Sequence, residues 1–238
     1  MAKQFVWDPS FWMKKAEKAI DAGRKTVMDI AYEVRAIRDR DPAARSNAEV
    51  LLLYPGLHAV LAHRAAHYLH GKKHFFAARA ISQVARGLTG IEIHPGAKIG
   101  KGVFIDHGCA VVIGETAEVG DNCTIYQGVT LGGTGKHCGK RHPTLGSDVM
   151  VGAGAKVLGP FKVGDHAKIA AGAVVLKEVP SDSTAVGIPA KIVNSASKSG
   201  AENLDQINVP DPVAQELTAL KERVAELERR LAADSQPS

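Results

Sequence analysis

The sequence is poor in aromatic residues and has no long apolar runs. Aromatic residues make up only 5% of the 238 positions although 45% are hydrophobic, so a large core would consist of aliphatic side chains. No apolar run is long enough to span a bilayer, and the N-terminus lacks the apolar segment of a secretory signal. We therefore expect a cytoplasmic protein with no membrane partner.

Cysteine and excess charge are scarce as well. The three cysteines, Cys109, Cys123 and Cys138, have the spacing of neither a metal site nor a disulfide framework, which is typical of a reducing compartment. The net charge is +5 with neutral histidines, and the basic residues are spread along the chain. This modest surplus suits a small anionic ligand, and we expect no nucleic-acid partner.

A six-residue repeat of branched aliphatic residues dominates the middle of the chain. Neither an α-helix nor an ordinary strand has this period. A short fixed repeat predicts a solenoid of triangular coils, in which each coil buries its apolar residues against the next. The repeat positions are Ile93, Ile99, Ile105, Ile113, Val119, Ile125, Leu131, Leu145, Val151, Val157, Val163, Ile169 and Val175.

The remainder of the chain divides around this solenoid, which we place at residues 91–193. Residues 1–90 are predicted to form a helical domain, because apolar residues recur there with a helical period and Pro-containing breaks separate the segments. Residues 194–212 are rich in Ser, Asn, Asp and Pro and are expected to be a linker.

Residues 213–232 are predicted to form an amphipathic helix. Its apolar residues step by four and three, as in a coiled coil, but the same pattern fits a solvated helix. A helix of this length is marginal alone; a trimeric solenoid could bring three of them together. The apolar positions are Val213, Leu217, Leu220, Val224, Leu227 and Leu231.

A Gly/His-rich loop at residues 132–143 interrupts the repeat, and loops on rigid scaffolds often carry binding residues. Within it, Arg141 offers two parallel hydrogen bonds to a carboxylate. The glycines together with Lys136 suit a phosphate-bearing ligand, although the loop lacks the spacing of a P-loop.

His107 follows a repeat position, and histidine is the side chain best suited to act as a general base near neutral pH. Such a base needs a carboxylate to orient it. Glu92 lies 15 residues earlier, close to one coil, so we expect the two side chains to stack. The alternative is that both are solvated surface residues. Asp41, before Pro42, could simply be a turn former.

Taken together, these segments resemble the serine O-acetyltransferases. Hexapeptide repeats alone are unspecific, but the combination of motifs is specific, and it covers nearly all of the chain up to residue 193. The matching segments lie at 37–43 (IRDRDPA), 90–100 (GIEIHPGAKIG), 105–107 (IDH), 112–116 (VIGET), 128–136 (GVTLGGTGK), 141–143 (RHP), 151–159 (VGAGAKVLG) and 187–190 (GIPA).

The resemblance implies a fold and an assembly. The expected fold class is α+β, with an N-terminal helical domain followed by a left-handed parallel β-helix. The expected assembly is a homotrimer with active sites between neighbouring subunits, often paired into a hexamer. The resemblance also implies acetyl-CoA as cosubstrate and L-serine as acceptor, with no permanently bound cofactor and no metal.

The resemblance also assigns roles to residues of the site. His107 would be the general base and Glu92 its orienting carboxylate, where many family members have Asp. Asp41 and Asp106 would bind the serine ammonium group. Arg141 would bind its carboxylate, with His142 in the same pocket.

The acetyl-CoA groove and the partners are implied in the same way. Gly133, Ala153 and Ala171 would line the groove, and Lys191 would meet the CoA phosphates. L-Cysteine is the expected feedback inhibitor. Family members that dock cysteine synthase usually end in isoleucine, whereas this sequence ends in Ser238, so we do not expect that complex.

Three alternatives remain open from the residues. Another hexapeptide acetyltransferase, acting on a sugar or xenobiotic, would not need Asp41 or the long helical domain. A zinc carbonic anhydrase of the same fold would need three His ligands. A trimeric scaffold without activity would leave Asp106 and His107 unexplained. The candidate zinc ligands are His94, His107, His137 and His142.

Overall fold

The computed structural model describes residue 21 and residues 27–135, 138–194 and 212–234. Helix α1 covers residues 27–38, and the chain continues through α2 (Asn47–Leu53), α3 (Pro55–Gly71) and α4 (Phe75–Thr89). These helices agree with the predicted helical N-terminal segment as far as it is described. The sequence pattern predicts a helix over residues 11–40, and half of that range lies outside the described residues.

Local signals explain where the helices begin and end. The Ser46 hydroxyl accepts the Glu49 N–H at 3.1 Å and so caps α2. Pro55 is the first residue of α3, a position where the missing N–H carries no cost. Gly90 ends α4 with a φ of 73° in the left-handed region, and this turn leads the chain into the first strand.

The solenoid has three faces, each a sheet of parallel strands, and consecutive strands pass from one face to the next. The first face has the order β1-β4-β7-β10-β13, the second β2-β5-β8-β11 and the third β3-β6-β9-β12-β14, with β15 antiparallel at its end. The strands are β1 Glu92–Ile93, β2 Lys98–Ile99, β3 Phe104–Ile105, β4 Val112–Ile113, β5 Glu118–Val119, β6 Thr124–Ile125, β7 Thr130–Gly132, β8 Thr144–Leu145, β9 Met150–Val151, β10 Lys156–Leu158, β11 Lys162–Val163, β12 Lys168–Ile169, β13 Val174–Val175, β14 Ser183–Val186 and β15 Lys191–Asn194.

The predicted repeat residues form the core of this solenoid. On the first face Ile93 lies opposite Ile113, and Ile113 opposite Leu131. The corresponding ladders on the other two faces are buried in the same way. Each buried aliphatic side chain contributes roughly 1.5–3 kcal/mol. The solenoid prediction is therefore confirmed, and the stacked ladders fix the register of every coil.

The repeat is interrupted twice, and the expectation of a single interruption was wrong. The step from Glu92 to its partner Val112 is two residues longer than the step from Val112 to Thr130. The extra residues fall in the turn that contains His107. The second and larger interruption is the Gly/His-rich loop between β7 and β8.

Polar contacts attach the helices to the first two coils. The guanidinium group of Arg40 donates to the Asn122 carbonyl at 2.8 Å and to the Thr124 hydroxyl at 3.1 Å. Glu33 is buried, accepts the Gly102 N–H at 2.8 Å and pairs with Arg64 at 3.1 Å. Burial raises the pKa of Glu33 in spite of the Arg64 charge.

The C-terminal helix α5 spans Pro212–Asp234, close to the predicted bounds. No helix among the described residues has both the length and the apolar character needed to cross a membrane.

Helix α3 lies close against the solenoid at Gly56. A Cβ atom there would lie 2.1 Å from the Ile105 carbonyl oxygen. We predict that Gly56→Ala lowers the free energy of unfolding by about 1–3 kcal/mol, because α3 must move away from the first coil. Gly87→Ala is the control, since nothing lies within 4 Å of its added Cβ. Thermal unfolding should show the control at or slightly above wild type; equal effects would contradict this packing.

Candidate active site

His107 stands on the widened turn that links β3 to β4. Its backbone is left-handed, with a φ of 57°, and its carbonyl accepts the Cys109 N–H at 3.0 Å. Gly108 is required beside it, because a Cβ there would lie 2.4 Å from Ile91 Cδ1. The imidazole itself is 74% exposed, and its Nε2 lies 3.8 Å from Asp106 Oδ1. A ring in this position is open to a ligand.

Two carboxylates from different parts of the chain, Asp106 and Asp41, lie near each other at this turn. Burial raises the pKa of Asp106; the His107 charge opposes this effect, and the Asp41 charge adds to it. Asp41 is therefore close enough to Asp106 for a direct electrostatic interaction. The connection between α1 and α2 thus reaches the same place as the β3 turn.

Tyr54 fixes Asp41, and sequence reasoning missed this residue. The Tyr54 hydroxyl donates to Asp41 Oδ2 at 2.6 Å, while the Ala43 N–H donates to Oδ1 at 2.8 Å. Burial and the bond to Asp41 raise the pKa of Tyr54 to about 12. In the sequence, Tyr54 stands out only because it precedes Pro55 at a predicted break between two helices.

Glu92 does not stack on His107 as expected. Its vertical neighbour is Val112, 20 residues later, so Glu92 and His107 belong to the same coil. The Glu92 carboxylate forms ion pairs with Arg79 at 3.0 Å and Arg86 at 3.4 Å, both on α4. Its backbone N–H donates to Val111 at 2.9 Å, so Glu92 still lies near the turn of His107.

The loop ends at a different corner, where Thr116 anchors it. The Thr116 hydroxyl accepts the N–H groups of Arg141 and His142 at 3.0 and 3.1 Å. The Thr116 N–H donates to His142 Nδ1 at 3.1 Å, and its hydroxyl lies 2.9 Å from the same atom. A Cβ on Gly114 would lie only 2.0 Å from the His142 ring. The loop therefore returns to the solenoid in a defined position.

Burial and charge at this corner favour the neutral form of His142, and an ion pair orients Arg141. Burial, followed by the Arg141 charge, lowers the pKa of His142, which agrees with Nδ1 acting as an acceptor. Arg141 pairs with Glu115. Its hydrogen bond is the main reason that the pKa of Glu115 lies below the usual value.

Small residues line the corner above His107. Each coil has a left-handed glycine there, and these are Gly108, Gly128, Gly154 and Gly172. Ala153 is half-buried and Ala171 is exposed, and the Ala153 carbonyl accepts the Gly172 N–H at 2.8 Å. Lys191 begins β15 beyond the last of these turns and is exposed.

The predicted site residues thus fall into two groups on different corners of one chain. The His107 corner, between the third and first faces, carries Asp41, Asp106, Ala153, Ala171 and Lys191 around His107 or above it. The Arg141 corner, between the first and second faces, carries Gly133, Arg141 and His142. A Cβ on Gly133 would lie 3.1 Å from Arg141 Cγ. Lys136 and His137 lie outside the described residues, and Cys138 is an exposed free thiol.

Comparison with known sequences gives matches at both ends of the fold. The model of the family described as "Bacterial transferase hexapeptide (six repeats)" matches residues 142–177. The model described as "Serine acetyltransferase, N-terminal" matches residues 4–62. The solenoid and its hexapeptide repeats thus define a transferase of the hexapeptide-repeat class. Its fold is the left-handed parallel β-helix that the resemblance implied.

Relatives of high sequence identity show which family within this class the chain belongs to. The serine acetyltransferase of Helicobacter pylori is 64% identical over 167 residues, which are 70% of this chain and 98% of the relative. That of Bacillus licheniformis is 56% identical over 199 residues, 84% of this chain and 92% of the relative. A solved serine acetyltransferase in complex with cysteine has a TM-score of 0.76 and 40% identity, covering 81% of this chain and 76% of that one. The chain belongs to the serine acetyltransferase family.

The Thr116 anchor generates a prediction about the loop. Thr116→Val removes the hydroxyl that accepts two backbone N–H groups, at a cost of about 1–3 kcal/mol in local stability. We expect hydrogen exchange at the Arg141 and His142 amides to become about tenfold faster. Thr116→Ser retains the hydroxyl and should exchange like wild type. If both variants protect these amides equally, the hydroxyl does not hold the loop.

Proposed function

We propose that this chain transfers the acetyl group of acetyl-CoA to the hydroxyl of L-serine, with His107 as the general base. The products are O-acetyl-L-serine and CoA, which makes the reaction the first step of cysteine biosynthesis. Family membership supports the reaction. The observation that carries the residue assignment is the exposed imidazole of His107 on a widened turn beside Asp106. The alternative acceptors and the zinc anhydrase have no comparable support.

The mechanism is direct transfer without an acyl-enzyme. Neutral His107 takes the serine hydroxyl proton while the oxygen attacks the thioester carbonyl, forming a tetrahedral oxyanion. Backbone N–H groups stabilise this charge. His107 then returns the proton to the sulfur of CoA as the carbon–sulfur bond breaks. Base catalysis of this kind contributes roughly 10²–10⁴-fold, and fixed positioning of the two substrates contributes further.

Charged groups orient serine for this attack. Asp41 and Asp106 supply negative charge for its ammonium group, and the Tyr54 hydroxyl holds Asp41 in place at 2.6 Å. Arg141 binds the serine carboxylate, with its guanidinium already oriented by Glu115. His142, kept neutral by its lowered pKa, lines the same pocket without adding a second positive charge.

Acetyl-CoA would lie along the small residues above His107. Ala153 and Ala171, beside the glycines of these turns, leave room for an extended chain to approach the backbone. Lys191 stands on the last coil and would meet the phosphates. Gly133 would contribute from the other corner of a neighbouring copy.

One serine molecule can contact both His107 and Arg141 only if two copies of the chain contribute. A threefold arrangement places the His107 corner of one subunit beside the Arg141 corner of the next, and each trimer then holds three equal sites. This division supports a homotrimer, and pairing into hexamers remains part of the family-based proposal. Binding of cysteine synthase is not proposed.

Two further parts of the proposal concern ligands and Glu92. L-Cysteine differs from serine by one atom and fits the same charged groups, so we propose competitive inhibition in a cytoplasmic enzyme.

Glu92 is retained as the orienting carboxylate of His107 because it lies near that turn. Its pairs with Arg79 and Arg86 support a second role in attaching α4.

The role of His107 is tested by His107→Asn, since asparagine tolerates the left-handed backbone of this position. We expect kcat for serine acetylation to fall roughly 10²–10⁴-fold with an unchanged unfolding midpoint. His166→Asn is the matched control: His166 is also exposed, with a φ of 58°, but lies on another corner. Near-normal turnover of His107→Asn would exclude His107 as the base.

The shared site is tested by mixing subunits of His107→Asn and Arg141→Ala. Each variant alone should acetylate serine poorly at low serine concentration. In mixed trimers a site is intact when one subunit supplies His107 and its neighbour supplies Arg141. A random equal mixture should therefore regain about a quarter of the wild-type activity. Co-refolding the two variants and measuring CoA release checks this value. If both residues served a site within one chain, mixing would restore nothing.

A further inference from the structure

The C-terminal helix α5 presents an apolar stripe that the acetylation site does not use. Leu217, Leu220, Val224 and Leu227 lie along it, with between 47% and 57% of each residue exposed. Half-exposed leucines at this spacing leave an amphipathic helix incompletely buried. Since most of the stability of a helix in a protein comes from packing of its apolar face, the exposed stripe of this 23-residue helix needs a partner.

The heptad positions beside the stripe identify that partner. With Leu217 and Val224 at the a positions and Leu220 and Leu227 at d, Lys221 and Glu228 occupy e positions, and Glu216 and Arg223 occupy g positions. In a parallel coiled coil each g residue faces the following e residue of its neighbour. Here both such contacts, Glu216 with Lys221 and Arg223 with Glu228, join opposite charges between copies.

An antiparallel pairing would be less favourable. It would bring g positions of two helices together and place Arg223 beside Arg223 of the other copy when the helices are centred. The described ion pairs within the helix leave Arg223 and Glu228 available for contacts between copies. They join Glu226 to Arg229 and Arg230 at 3.4 and 2.8 Å, and no ion pair is found for Arg223 or Glu228 within the described part of α5.

We propose that the α5 helices of three copies form a parallel coiled coil at the end of the trimeric solenoid. The inference rests on the trimer of the proposed function, whose threefold axis brings three parallel helices together. Residues 195–211 separate β15 from α5, and 17 residues of extended chain span up to roughly 55–60 Å. This tether raises the effective concentration of the helices and offsets their low intrinsic stability.

Charge reversal tests the pairing in the full-length chain. Arg223→Glu and Glu228→Arg each place like charges in contact at all three helix interfaces. Each should raise the concentration at which the subunits dissociate by about tenfold, measured by light scattering on dilution. The double variant Arg223→Glu/Glu228→Arg restores opposite charges and should recover the wild-type value. Glu222→Arg, at the outward f position, is the control and should not change it.

Disulfide trapping tests the parallel register independently. In a chain with Cys109→Ser and Cys138→Ser, Leu227→Cys should crosslink to the same residue of another copy on oxidation, whereas Glu222→Cys should not. Crosslinks within one chain, or equal crosslinking of the two variants, would overturn the proposal. So would a double charge reversal no better than the single ones. Serine acetylation by Arg223→Glu is measured in parallel at a protein concentration where light scattering shows intact trimers. There it should stay near wild type, so failure of the coil is distinguishable from failure of the site.

Discussion

The vertical stacking of aliphatic side chains is the constraint on which the rest of the structure depends. Because Ile93, Ile113 and Leu131 lie directly above one another, each coil fixes the position of the next, and a residue cannot be added to a face without breaking the register. Additional residues are accommodated only at corners. Both places where the chain is longer than the repeat carry a proposed functional group: the turn of His107 and the loop that ends at Arg141. The fold therefore confines chemical variation to corners and holds their bases rigidly.

This rigidity has a consequence for assembly. Within one chain the His107 corner and the Arg141 corner are separated by the first face of the prism, and the solenoid cannot bend to bring them together. A site that uses both groups must therefore be completed by a second copy. The helical domain adds Asp41 to the His107 corner through long-range contacts, chiefly the close approach of Gly56 to Ile105 and the bond from Tyr54 to Asp41. Helices, turn and neighbouring copy thus each supply a separate part of the proposed serine pocket.

Features with a sequence period were predictable, and features made by long-range contacts were not. The repeat predicted the solenoid and its core because one residue type recurs at one spacing. The stacking of Glu92 on His107 was predicted wrongly, because their separation of 15 residues is less than one coil. The regular step from Val112 to Thr130 is 18 residues, and the widened first step from Glu92 to Val112 is 20. Tyr54 and Thr116 were missed as site residues because their partners, Asp41 and the loop end, lie 13 and about 25 positions away. Long-range hydrogen bonds of Tyr and Thr hydroxyl groups cannot be predicted from residue spacing in the sequence.

The pairing of Arg141 with Glu115 matters for the proposed serine site because it orients the guanidinium group. An unpaired guanidinium on a loop would sample many rotamers, and ordering it would reduce the affinity for substrate. Glu115 orients the guanidinium while using only part of its five donors, which under the proposed function leaves donors for the serine carboxylate. The lowered pKa of Glu115 keeps this carboxylate ionised near neutral pH. Neutral His142, fixed by Thr116, packs beside the pair and adds no charge that would compete with Arg141. Under the proposed function, the Arg141 guanidinium is therefore oriented before serine binds.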